Sequence, residues 1–356
     1  MKVVRVELGA SSYDIDIGGG LIEEVGTLMG QICRHGQAVI ITNPVVRRHY
    51  GAKLEAGFAK AGFTVNVLEV TDGEAQKTLA QAGDLYLEMA QARAERQTPV
   101  VAVGGGVIGD LAGFVAATYK RSVPLVHVPT TLLAQVDSSI GGKVAVNHNQ
   151  LKNEIGAFYQ PKLVITDPET LRTLPPEILS DGLAEVIKYG IIWDAEFFDY
   201  LEANMAKIRA LDATCLEHIV GRSAEIKAKV VSEDEKESGL RAILNYGHTI
   251  AHAVESLSDF DVSHGSAVAI GMVAAARIAV DMKTFEFDAV DRLIKLLERA
   301  GLPTRVPDYG AERMIEVMQH DKKVRDGKMR FVLPQAIGEV FVTDQVTPEL
   351  LRKVLA

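Results

Sequence analysis

Residues 241–265 read RAILNYGHTIAHAVESLSDFDVSHG and carry three of the chain's nine histidines. His248 and His252 are four apart, and Asn245 lies three before His248. On a helix, residues three and four apart share a face, so one helix over 240–257 would project all three into the same space. His264 then opens the next helix close by. Histidines at this spacing suit a metal site or a polar pocket, although the same spacing also occurs on solvated helix faces. An acid is needed to complete a zinc-type set with an open fourth position. Glu185 is the nearest one on an otherwise apolar helix, in DGLAEVIKYG. Spacing alone leaves open which two histidines would ligate, with His248 and His252 the first choice. Lys188, three residues after Glu185, is expensive in an apolar setting unless it pairs with that acid or faces a polar site. Lys227, Glu237 and Arg241 add charge just before the histidines.

A second kind of chemistry is suggested by VVAVGGGVIGD at 100–110. There a buried strand runs into three glycines and then a helix. Glycines let the backbone approach a pyrophosphate, and the helix N-terminus supplies N–H groups and the positive end of its dipole. The spacing is not the usual GxGxxG, and many such turns are only tight turns. DGEAQK at 72–77 follows a strand end, where an acid can accept from ribose hydroxyls. Thr130 and Thr131 also follow a strand, where helix capping is the competing reading. The stretch SSIGGKVAVNHNQLKN at 138–153 supplies Lys143, Lys152 and Asn153, and it reads as an anion-binding loop.

The elements that must position these groups fall into two sets. Strand-like runs at 2–8, 13–17, 38–42, 65–70, 99–103, 125–128 and 163–166 alternate with helical stretches at 44–61 and 77–92. That alternation predicts an α/β, Rossmann-like domain with a parallel sheet. From 175 on, helical periodicity dominates: 176–189, 195–208, 216–231, 240–257, 266–282 and 289–300. Strand-like runs return only at 330–333 and 339–342. The expected division is therefore 1–172 and 173–356, the second domain being all-helical. A cleft between two such domains is a natural place for a site.

The 356 residues are enough for two domains, and a net charge of -9 argues against nucleic acid as a partner. Two cysteines far apart in sequence form neither a disulfide framework nor a thiolate cluster, and fit a reducing, cytoplasmic compartment. The first 20 residues lack an apolar signal core, and no run reaches a membrane span.

Taken together, the motifs resemble those of the 3-dehydroquinate synthases, phosphate-eliminating lyases of the sugar-phosphate cyclase group. The resemblance rests on DGEAQK at 72–77, GGGVIGDLAGFVAATYKR at 104–121, VPTTLLAQVDSSIGGKVAVNH at 128–148 and LKNEIGAFYQPKLVITDPETLRTLP at 151–175. It continues through GLAEVIKYGII at 182–192, EDEKESGLRAILNYGHTIAHAVE at 233–255, SHGSAVAIGM at 263–272 and DKKVRDGKMRFVLPQAIG at 321–338. It implies an NAD-binding α/β domain followed by a helical, metal-binding one. It also implies conversion of 3-deoxy-D-arabino-heptulosonate 7-phosphate to 3-dehydroquinate and phosphate, in the shikimate pathway, with NAD used catalytically.

By motif position the resemblance makes Glu185, His248 and His264 the ligands of zinc or cobalt, overruling the pair that spacing favours. Lys143, Asn153, Asn245, His252 and one of Lys322 and Lys323 would hold phosphate. Lys227 and Arg241 would hold the substrate carboxylate, and Asp137, Lys188 and Glu237 would complete the polar network. Contacts to NAD would come from Asp72, Gly73, Glu74, Lys77, Gly105, Gly106, Val107, Ile108, Gly109 and Asp110. Thr130, Thr131, Lys143, Lys152, Thr170, Leu171, Arg172 and Thr173 would add to them. Arg121 would reach a neighbouring subunit's site, which implies a homodimer. Two positions depart from the family pattern: Ser122 stands where glycine is usual, and Ile250-Ala251 replaces a bulky–glycine pair. The alternatives are another sugar-phosphate cyclase, which tends to lose the Asn245, His252 and 322–323 combination, and a metal-dependent NAD polyol dehydrogenase, which would release NADH.

Overall fold

The structure is a computed structural model, and it describes residues 1–33, 36–149, 151–259, 261–319 and 329–355. Two compact units emerge, Met1–Leu174 with Leu216–Glu235, and Pro175–Cys215 with Lys236–Ala356. The single cut expected near 172 is thus replaced by a division in which 216–235 belong with the first unit.

In the first unit the chain runs β1 (Lys2–Val6), β2 (Tyr13–Ile17), α1 (Val25–Ile32), β3 (Gln37–Thr42), α2 (Pro44–Lys60), β4 (Thr64–Glu69), α3 (Leu79–Gln91), β5 (Val100–Gly104), α4 (Gly106–Thr118), β6 (Leu125–Pro129), β7 (Lys143–His148), β8 (Leu151–Phe158) and β9 (Leu163–Thr166). Seven strands form one sheet in the order β1-β2-β9-β6-β5-β3-β4. All its pairings are parallel except β1 with β2. The strands read as unbroken apolar runs because helices cover both faces. Val39, Ile41, Val100 and Ala102 pack with Leu85, Met89, Ile108 and Leu111 of α3 and α4. Their neighbours Ala38, Ile40, Val101 and Val103 pack with Val25, Met29, Leu54 and Phe58 of α1 and α2. Each such side chain taken out of water contributes about 1.5–3 kcal/mol, so one register is strongly preferred.

The segment 138–153 is not the loop expected from its sequence. β7 and β8 form an antiparallel hairpin with Lys143 opposite Phe158. Val144 and Val146 are buried while Lys143 and His148 are exposed, a period-two signal outweighed by the surrounding polar residues. The hairpin packs closely on α4: a Cβ at Gly113 would lie 2.3 Å from a Val144 methyl.

The second unit holds α5 (Pro176–Ile192), α6 (Ala195–Arg209), the start of α7 (Ala213–Glu233), α8 (His248–Leu257), α9 (His264–Asp281), α10 (Phe287–Arg299), α11 (Ala311–Gln319) and α12 (Pro348–Leu355). It is not all-helical: β10 (Phe331–Ala336) and β11 (Glu339–Thr343) form a hairpin where the strand-like runs stood. Among the described residues no helix is long and apolar enough to cross a membrane.

Candidate active site

The helix expected over 240–257 is broken. A 3-10 turn, Leu240–Asn245, ends before Gly247, which takes φ +81, and α8 starts at His248. Packing forces the break. A Cβ at Gly271 of α9 would sit 2.1 Å from the Gly247 carbonyl oxygen, and one at Gly247 would meet the Met272 backbone nitrogen at 2.7 Å. Only glycines permit this approach. Asn245 therefore stands before the helix that carries His248 and His252, and its Nδ2 donates to Glu237 Oε1 at 2.5 Å.

The break brings His248 to the first position of α8, and α9 begins at His264. Asp181 of α5 fixes that second start: its Oδ1 accepts from the backbone N–H of Gly265 at 2.6 Å and of Ser266 at 3.2 Å. One helical turn further along α5 lies Glu185, fully buried. Both His248 Nε2 and His264 Nε2 stand 3.5 Å from Glu185 Oε1. One ligand atom from each of the three lies within 4.8 Å of the others. The opposite ring nitrogens are anchored, His248 Nδ1 by the Tyr246 carbonyl at 3.1 Å and His264 Nδ1 by Glu255 Oε1 at 3.4 Å. Such anchors fix the tautomer that aims Nε2 at a metal.

Burial opposes a charge on the His264 imidazole, but the neighbouring Glu185 and Glu255 carboxylates outweigh it and hold its pKa up at about 10. Lys188 ion-pairs with Glu185 and donates to the Leu244 carbonyl at 2.7 Å, which accounts for a charged group on an apolar helix. Even so, neither buried Glu185 oxygen has a well-formed hydrogen bond. A dehydrated carboxylate beside two oriented imidazoles fits a divalent metal, and one acid with two histidines leaves a position open. His252 lies outside this set; its ring stacks edge-on against His248 with centroids 5.8 Å apart. Arg241 is buried. Lys322 and Lys323 lie outside the described residues. Asp181 and Glu255 were missed in the sequence, Asp181 because a residue four before Glu185 reads equally well as an ordinary helix acid.

The first unit carries the candidate nucleotide residues. Gly105 precedes α4 and offers no side-chain cap, so the N–H groups of Gly106, Val107 and Ile108 have no partner within the helix. A Cβ at Gly105 would lie 3.0 Å from the Thr131 methyl. Thr131 Oγ1 accepts from Ala134 N at 3.2 Å, so the capping reading of Thr131 holds in the structure, while Thr130 is buried. This bare, glycine-lined helix start fits a pyrophosphate. Lys77, 4% exposed, reaches Asp110 Oδ2 and Asn153 Oδ1, each at 2.5 Å. Asp72 accepts from Asn43 Nδ2 at 2.9 Å. Thr170 and Leu171 are buried, with Thr170 Oγ1 accepting from Gln135 Nε2 at 2.9 Å. Thr173 pairs with the Tyr50 hydroxyl at 2.6 Å, and Arg172 pairs with Glu169. Gly73 takes φ +115, beside the half-buried Glu74. Lys227 Nζ meets Asp137 Oδ1 at 2.6 Å, and Lys143 is exposed at the start of β7. Arg121 follows Lys120 and precedes Ser122, all three with positive φ.

In fold the chain groups with ring-forming synthases. It matches 2-deoxy-scyllo-inosose synthase, solved with carbaglucose-6-phosphate, NAD+ and Co2+, at a TM-score of 0.90 and 28% identity, covering 99% of each chain. It matches 2-epi-5-epi-valiolone synthase from Streptomyces hygroscopicus subsp. jinggangensis, solved with NAD+ and Zn2+, at a TM-score of 0.90 and 27% identity, over 96% of this chain and 95% of that one. Two family models narrow the class: 3-dehydroquinate synthase N-terminal matches residues 67–181, and 3-dehydroquinate synthase C-terminal matches 182–324. A 3-dehydroquinate synthase of Pelotomaculum thermopropionicum is 49% identical over 100% of this chain and 96% of its own. The chain belongs to the 3-dehydroquinate synthase family.

Proposed function

We propose that the protein converts 3-deoxy-D-arabino-heptulosonate 7-phosphate to 3-dehydroquinate and phosphate, the second step of the shikimate pathway. The observation that carries this reading is the convergence of Glu185, His248 and His264 in a chain of this family. When bound, zinc or cobalt would polarise the hydroxyl that is oxidised, and NAD would take one hydride and return it, leaving no net redox change.

Glu185, His248 and His264 hold the metal, their Nε2 atoms set by the Tyr246 carbonyl and by Glu255. Lys143, Asn153, Asn245, His252 and a lysine of 322–323 hold the phosphate. Lys227 and Arg241 hold the substrate carboxylate; the guanidinium fork suits its two oxygens. Asp137, Lys188 and Glu237 orient these groups, in keeping with the Asp137–Lys227, Glu185–Lys188 and Glu237–Asn245 pairs. In this reading the departing phosphate takes the proton in its own elimination, which suits a residue set rich in cations and whose acids Asp137, Glu185 and Glu237 each have a cation or donor as partner. Ring opening and an intramolecular aldol closure complete the carbocycle. The NAD contacts are those from Asp72 to Lys77, Gly105 to Asp110, Thr130, Thr131, Lys143, Lys152 and Thr170 to Thr173. Arg121 serves a neighbouring copy's site in a homodimer, and the protein works in the cytoplasm.

The test is phosphate release from the heptulosonate phosphate with catalytic NAD and added zinc or cobalt. Stoichiometric phosphate without NADH build-up, abolished by a chelator, is expected. NADH accumulating from simple polyols without phosphate release would instead place the chain among metal-dependent dehydrogenases. His264→Ala should lose metal and activity together, whereas His252→Ala should keep its metal and bind phosphate more weakly. Equal metal loss in both variants would undo the ligand assignment.

A further inference from the structure

Asn147 sits in β7 where the β7–β8 ladder slips between Val146 and His148. Three of its polar atoms are used on different segments. Its backbone N–H donates to the Lys77 carbonyl at 2.8 Å. Its Nδ2 donates to Glu74 Oε1 at 2.8 Å. Its Oδ1 accepts the Asn153 backbone N–H at 2.9 Å, a donor that the slipped register takes out of the regular ladder. Asn153 itself takes φ +54, a left-handed conformation that asparagine tolerates better than most residues. Lys77 Nζ closes the ring by donating to Asn153 Oδ1 at 2.5 Å. Because Lys77 occupies that amide's acceptor, the Nδ2 donors are what Asn153 has left to offer an anion.

We propose that Asn147 couples the nucleotide segment 74–77 to the anion-holding hairpin, so that nucleotide and phosphate each raise the other's affinity through this one side chain. The proposal rests on the reading that Glu74 and Lys77 contact NAD and Asn153 contacts phosphate. A nucleotide that orders Glu74 and Lys77 also orders the two groups that fix Asn147 and the Asn153 amide. The ordering of the hairpin is then already in place when phosphate binds. The effect is reciprocal by thermodynamic necessity. Asn147 touches neither ligand in this scheme; it is a positioning residue.

The experiment is calorimetric titration of the zinc-loaded full chain with inorganic phosphate, with and without saturating NAD, and with NAD, with and without phosphate. In the unmodified protein NAD tightens phosphate on the order of tenfold, and phosphate tightens NAD by the same factor. In Asn147→Ala both ligands still bind, and the factor falls to about one, the value for uncoupled sites. Asn147→Asp keeps the acceptor for the Asn153 N–H but sets a like charge against Glu74. It binds phosphate alone as the unmodified protein does, and binds NAD more weakly. An unmodified protein without the factor, or Asn147→Ala with the factor intact, overturns the proposal. If Asn147→Ala does not fold, Asn147→Asp decides, and an unchanged NAD affinity there overturns it. An unmodified protein that binds neither NAD nor phosphate would remove the functional reading itself, a different failure.

Discussion

His127 offers a test of the first unit's core that can be worked through in numbers. It lies in the middle of β6, paired with Ala102 of β5 and Val164 of β9. Its neighbours Val126 and Val128 face the α1–α2 side, so alternation turns His127 toward α4. A Cβ at Gly109 would lie 3.6 Å from its ring, which places the imidazole beneath the glycine-rich start of α4. Burial lowers its pKa from 6.5 to about 4. The native state therefore binds fewer protons than the unfolded chain between those values. The associated stability is fully present above pH 6.5 and is lost as the pH falls through the folded value. From the two pKa values, the loss amounts to about 2 kcal/mol by pH 5 and about 3 kcal/mol by pH 4. His127→Leu removes the titrating group while keeping a side chain of similar bulk. Urea unfolding followed by circular dichroism at pH 7.5 and pH 5 gives the comparison. The unmodified protein should lose about 2 kcal/mol more than the variant across that interval. Equal acid losses would show that His127 charges without penalty, and would refute its placement in a closed apolar layer.

Two further outcomes follow from backbone geometry. Ser122, at φ 98 and ψ 138, occupies a region that favours glycine. Ser122→Gly relieves about 1–3 kcal/mol of strain, and costs about 0.4–1 kcal/mol through a freer unfolded chain and about 0.5–1.5 kcal/mol through the lost hydrogen bond between Ser122 and Tyr159. A net gain of at most about 1 kcal/mol, and a Tm rise of roughly 1 °C for a chain of 356 residues by scanning calorimetry, is expected; a lower Tm would contradict it. Gly271→Ala pushes a methyl to 2.1 Å from the Gly247 carbonyl, so α8 must shift against α9. A stability loss of about 1–3 kcal/mol and on the order of tenfold weaker cobalt binding are expected, read by urea unfolding and by titration of the cobalt absorbance. Unchanged cobalt affinity would mean that His248 does not depend on this contact.

The parts of the fold that sequence reveals are those set by local period. The short β-branched runs at 38–42 and 99–103 are β3 and β5, because a strand buried on both faces must be apolar throughout. The helices α5, α6, α9 and α10 followed their apolar periodicity to within a few residues. The exchange of 216–235 into the first unit was not visible, since an amphipathic stripe states that a helix needs a partner without stating which.

The metal set shows the same limit at the level of single residues. Periodicity favoured His248 with His252, four apart on one helix face, with Asn245 joining them had the helix run unbroken from 240. The break lies at Gly247, and its cause is Gly271 on another helix. That contact is tertiary, and spacing within 240–257 carries no trace of it. The break alone leaves His248 and His252 on one helix; what selects His264 in place of His252 is a third helix. Asp181 caps the start of α9 and Glu185 stands one turn beyond it on the same face of α5, so a single surface of α5 both places His264 and meets its Nε2. The apolar helix that looked too charged to bury, with Glu185 and Lys188 three apart, is thereby explained. Its polar face is the wall against which α8 and α9 both begin, and the two histidines at those beginnings are brought together by the fold rather than by their distance in sequence.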